Sequence, residues 1–86
     1  MEKTMQRWEK INSTTADIGD LLHIKWIDGR RFMTDRYICG RVIKHSKNRI
    51  FIRVTGPHDS HWIDEVPYTK IEKCLRKVEL DADLGI

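Results

Sequence analysis

Nothing in this chain approaches the ~20-residue apolar run that a membrane-spanning helix needs, so no membrane partner is expected. No apolar leader follows Met1 either, which leaves export undirected and makes the cytoplasm, or the nucleus of a eukaryote, the expected location. Two cysteines, Cys39 and Cys74, are too few for a disulfide framework and are expected to be reduced and buried. They stand 35 positions apart, and with His58 and His61 they do not give the close spacing of a structural zinc site. No metal or other cofactor is expected. His61 beside Asp59 or Asp64 could form an acid–base pair, but no nucleophile, phosphate-cradling glycine loop or paired-carboxylate site accompanies it. The chain is therefore not expected to be an enzyme. At 86 residues it makes one domain with a small core.

What the chain does have is positive charge in one place. Nine Lys or Arg lie between His23 and Arg53 (Lys25, Arg30, Arg31, Arg36, Arg41, Lys44, Lys47, Arg49 and Arg53), opposed by Asp28 and Asp35 alone. The flanking segments are slightly acidic, so the net charge of +3 conceals a strong polarity. A basic segment of this kind is the electrostatic footprint of a surface that meets phosphates.

The same segment alternates like a sheet. Leu22, Ile24 and Trp26 share one parity and His23 and Lys25 the other. The second strand, 37–44, sets Ile38, Gly40 and Val42 against Cys39, Arg41 and Ile43. In the third, 49–55, Ile50, Ile52 and Val54 face inward and Arg49, Phe51 and Arg53 outward. A fourth strand is predicted over 61–66, a 3₁₀ turn over 67–71 and a last strand over 72–78 that buries Cys74. Ahead of these, Met1, Met5, Trp8 and Ile11 recur at helical spacing, which predicts a short amphipathic helix over 1–12 joined by a linker, 13–17. Residues 79–86 read as a loose acidic tail.

Ile18-Gly19-Asp20 leading into a strand that ends in Trp26, then Asp28-Gly29, then Gly40-Arg41-Val42-Ile43, resembles the opening of SH3-like barrels of the Tudor type. The segment Pro67 to Ile71 entering Glu72-Lys73-Cys74 is similar to the way such barrels close. The resemblance covers residues 18–76 and implies a mainly β, five-stranded barrel over 18–78 with a 3₁₀ turn before the last strand. It also implies an aromatic cage for a methylammonium group, with Trp26 first and Tyr37 or Ile38 second. The remaining cage positions fall near Val54 and Pro57, which are not aromatic, although Trp62 could swing in.

Parity divides the basic residues. Lys25, Arg41, Arg49 and Arg53 are expected on the outer wall with Phe51 exposed among them. Arg30, Arg31 and Arg36 are expected on the first loop, and Lys44 and Lys47 on the second hairpin. Arginine's planar fork suits phosphate oxygens. The leading expectation is thus a small binding protein that takes nucleic acid, DNA or RNA, through this basic face. The alternative is a protein-interaction module, a peptide or methylated-residue reader or a phage-type inhibitor docking on a larger protein, with Trp8, Phe51 and Trp62 as its anchors; Trp26, Tyr37 and Trp62 are the candidate aromatic ligand contacts. Self-association through Met5, Trp8 and Ile11 is a further option.

Overall fold

A computed structural model describes residues 6–29 and 34–79. Six strands form one antiparallel sheet: β1 (Gln6–Lys10), β2 (Leu21–Asp28), β3 (Thr34–His45), β4 (Arg49–Thr55), β5 (His61–Pro67) and β6 (Ile71–Glu79). Their order is β1-β6-β2-β3-β4-β5, so the sheet is open, with β1 and β5 as its edges. The only helical elements among the described residues are 3₁₀ turns at Ser13–Thr15, Pro57–Asp59 and Tyr68–Lys70.

Strands β2 to β5 form a meander, because alternating sequences joined by turns pair most readily with their neighbours in the chain. The turn after β4 is tight enough to hold His58 and Asp59 at positive φ. Beyond β5, the 3₁₀ turn at Tyr68–Lys70 redirects the chain and β6 runs back along β2, with Ile24 opposite Cys74. This arrangement meets the expectation of a small all-β fold with a 3₁₀ turn before its last strand.

The core is the inward parity of these strands. Leu22, Ile24, Val42, Ile50, Ile52 and Val66 are fully enclosed, and Trp26, Ile38, Val54 and Cys74 complete the cluster. Each large side chain taken wholly out of water contributes about 1.5–3 kcal/mol. Gly40 shares that parity. A Cβ there would lie 2.3 Å from the Arg53 carbonyl oxygen and 2.6 Å from Ile52 Cγ2, so glycine lets β3 and β4 approach.

Two β-bulges adjust the register. Ile43 is an extra residue on β3: Val42 opposes Ile52, but Lys44 opposes Phe51 and His45 opposes Ile50. Beyond the bulge His45 therefore takes the inward parity. Its Nε2 lies 2.6 Å from the Ala16 carbonyl oxygen, which can only accept, so that nitrogen donates. Its Nδ1 then accepts the Tyr68 hydroxyl at 2.5 Å, and burial raises the Tyr68 phenol above its ordinary value. On β6 the extra residue is Glu72, which reaches Lys25 at 3.4 Å.

The N-terminal helix is not present in the described residues. Gln6–Lys10 form β1, paired with β6 from Gln6↔Glu79 to Lys10↔Leu75. Tertiary pairing overrides the helical spacing: Arg76 donates to Glu9 through Nε at 3.0 Å and also lies 3.6 Å from Asp20. As a strand, this segment sends Trp8 outward and Ile11 against the core, so the two do not share a self-association face; Met5 lies outside the described residues. The strand count is six rather than five. β3 begins at Thr34, which places Arg36 in a strand rather than a loop, and Glu79 belongs to β6 rather than to a tail. Residues 80–86 lie outside the described residues.

The cysteines separate. Cys74 is buried, whereas Cys39 is exposed on the outward face, because its parity is that of Arg41 and opposite to that of Ile38. Native protein should therefore be alkylated at Cys39 alone, with Cys74 modified only after unfolding, as mass spectrometry would reveal.

Burial also pushes the Cys74 thiol up to about 11 from an ordinary 9.0. Above pH 9 the unfolded chain releases this proton while the folded chain keeps it, so stability falls as pH rises towards 11. The loss should reach roughly 2–3 kcal/mol in urea titrations, and Cys74→Ala should remove that component of the slope. Gly40→Ala should cost about 1–3 kcal/mol in the same measurement, because the oxygen it meets belongs to the backbone and cannot turn aside.

Candidate nucleic-acid interface

The outward parity of the central strands is polar and largely exposed. On β2 it presents His23 and Lys25, on β3 Tyr37, Cys39 and Arg41, and on β4 Arg49, Arg53 and Thr55. Arg41 stands directly opposite Arg53. Two like charges facing each other across a ladder are destabilising unless something neutralises them. Among the described residues no carboxylate comes within ion-pair distance of either. One arm of Arg41 is held, Nη1 donating to the Gly19 carbonyl at 3.0 Å. The pair lines a shallow depression of about 330 Å³ with Cys39, Thr55 and His61, where Thr55 Oγ1 and His61 Nδ1 lie 3.3 Å apart.

A second depression, of about 270 Å³, is lined by His23, Lys25, Tyr37, Lys73 and Leu75. Lys25 is balanced there by Glu72 at 3.4 Å and Asp35 at 3.7 Å. These contacts, led by the Glu72 hydrogen bond, raise the lysine above its ordinary value. The Lys25 ammonium lies 6.0 Å from the centre of the Tyr37 ring, which is 64% exposed.

The other expected basic residues divide. Arg49 donates to Glu65 at 3.0 Å, so its charge is matched on the surface. Lys44 lies over the Phe51 ring at 5.3 Å; Phe51 is half-buried rather than exposed, because the bulge at Ile43 sets Lys44 directly opposite it. Lys47 is exposed in the turn between β3 and β4. Arg36 is not on the outer wall: it opposes Trp26 across the ladder, its guanidinium 5.9 Å from the indole and 3.3 Å from Asp28. Arg30 and Arg31 lie outside the described residues.

The aromatic residues are not gathered into a cage. Trp26 is 8% exposed and inward, while Tyr37, opposite Lys25, is outward. Trp26 lines a cleft of about 600 Å³ with Asp28, Arg36, Asp64 and Lys70, between the end of β2 and β5. Its indole nitrogen is buried without a hydrogen-bond partner among the described residues. Trp62 does not line that cleft; it opposes Val54, packs over Gly56 and remains 45% exposed. His61 and Asp64 have opposite parities on β5 and do not form a pair.

Three lysines join the outward face without figuring in the sequence expectation: Lys10 from β1 and Lys73 and Lys77 from β6. Lys73 stands opposite Lys25, Lys77 opposite Trp8 and Lys10 opposite Leu75. Segment charge hides them, because residues 54–86 are acidic in sum. The alternation of Lys73, Leu75 and Lys77 around buried Cys74 is the signal that could have found them. Comparison with protein-family models, with curated proteins and with solved structures finds no match for this chain.

Proposed function

We propose that this chain is a non-enzymatic nucleic-acid-binding protein, built on an SH3-like barrel of the Tudor type, that holds backbone phosphates on the outward face of its sheet. The observation that carries this is the opposition of Arg41 and Arg53 with no carboxylate among the described residues to neutralise them. A phosphate between them relieves their mutual repulsion and accepts hydrogen bonds from both forks. Lys73 and Lys10 extend the positive field across β6 and β1, so that several phosphates of one strand meet it together. The barrel assignment is supported by the order β6-β2-β3-β4-β5 and by the 3₁₀ turn before β6. Methyl-ligand reading gains no support from Trp26, whose ring already has the Arg36 guanidinium against it.

A protein-interaction module is the second possibility, and one observation favours it. Trp62 and Ile63, 45% and 55% exposed, sit on the edge strand β5. Buried aromatic anchors dominate most protein interfaces, so Trp62→Ala is the discriminating variant.

The decisive measurement is the affinity for labelled DNA and RNA across a salt series. Arg41→Ala/Arg53→Ala should weaken binding at least about tenfold at low salt. It should also flatten the dependence of log K on log salt by about 0.7–0.9, the share of one phosphate contact. Lys70→Ala should leave both unchanged. Absence of binding at low salt, or binding indifferent to salt, refutes the proposal, and a loss of binding through Trp62→Ala but not through Arg41→Ala/Arg53→Ala refutes the phosphate seat.

A further inference from the structure

The two depressions on the outward face differ in a way that selects among nucleic acids. At Arg41 and Arg53 the positive charge meets no carboxylate among the described residues. At Tyr37 the neighbouring Lys25 is already matched by Glu72 and Asp35, and what stands open is an aromatic ring. An anion gains most at the first. The second, where Glu72 and Asp35 offset Lys25, draws a phosphate less strongly than the first and offers the face of Tyr37 to a neutral, flat, polarisable group. The Lys25 ammonium opposite the ring lies 6.0 Å from its centre, and the ring keeps its exposure.

We infer that the outward face takes single-stranded nucleic acid, with one backbone phosphate seated between Arg41 and Arg53 and one base stacked on Tyr37. This rests on the phosphate-binding function proposed above and adds to it the class of strand. Tyr37 and Arg41 share a face of β3 four residues apart, a separation of on the order of 13 Å at about 3.3 Å per residue, which a few nucleotides of extended strand cover. The bases of a duplex are stacked on one another and offer no free face to a tyrosine, so a duplex can use the arginine seat only. A single strand uses both. Base stacking of this kind tolerates any sequence, because every base has a π-face.

Short labelled single-stranded DNA, single-stranded RNA and duplex DNA of matched sequence, titrated against the full chain by fluorescence anisotropy, test this. The single strands should bind more tightly than the duplex. Tyr37→Ala should weaken single-strand binding by roughly fivefold to a hundredfold, the value of one stacked base. It should leave the salt slope and the duplex affinity as they were, and Tyr37→Phe should restore single-strand binding. Tyr37 is exposed, so circular dichroism of the variants should match the wild type. If Tyr37→Ala binds single strands like the wild type, or the duplex binds more tightly, base stacking is refuted, while continued sensitivity to Arg41→Ala/Arg53→Ala keeps the phosphate seat. If the wild type binds none of the three at low salt, both fall together.

Discussion

The pairing of β6 with β2 is the constraint on which the other elements depend. It joins the end of the described chain to the first strand of the meander, with Leu22 opposite Arg76 and Lys25 opposite Lys73. Without it β2 would be an edge and Cys74 would leave the core. Strand β1 would lose its link to the rest of the sheet, because among the described residues it pairs with β6 alone. Contacts so distant in sequence are the slow ones to form, since the loop must close before the ladder rewards it. His45 helps that closure. Its hydrogen bonds to Ala16 and Tyr68 tie the segment before β2 to the turn before β6.

The same pairing assembles the outward face. Core and surface are written on alternate residues of the same strands, so whatever fixes the inward set also aims the outward one. Gly40 shows the coupling most directly. Its missing side chain admits the backbone of Arg53, and Arg53 stands opposite Arg41, the residue that follows Gly40. The close packing of the core and the crowding of positive charge above it are two sides of one contact.

How far the sequence spoke depended on whether a signal was local. The inward sets of β2, β3 and β4, the turn between β3 and β4 and the outward positions of Lys25, Arg41 and Arg53 all follow from local sequence signals, and the structure agrees. The failures come from pairing across the chain. Met1, Met5, Trp8 and Ile11 fit a helical period, but pairing with β6 outweighs the preference of a short segment, and Gln6–Lys10 become a strand. Summing charge by segment set Lys73 and Lys77 aside as part of an acidic end, although their strand lies against β2. Cys39 was expected to be buried on the general habit of cysteine, when its parity with Arg41 already pointed outward. Arg36 was assigned to a loop because β3 starts three residues earlier than its apolar pattern does.

The bulge at Ile43 shifts the phase of β3 by one residue. Up to Val42 the even positions face the core; from Lys44 onward the odd ones do. Were Ile43 instead paired in regular alternation, the same sequence would keep a single phase along the whole strand, driving Lys44 inward and expelling His45 to solvent. A lysine would then take the place of the imidazole that bridges Ala16 and Tyr68, and Phe51 would lose the ammonium over its ring. The length of β3 is therefore fixed more strictly than its composition. Outward side chains can vary by substitution with the frame intact, whereas an odd insertion or deletion on either side of Ile43 would scramble it.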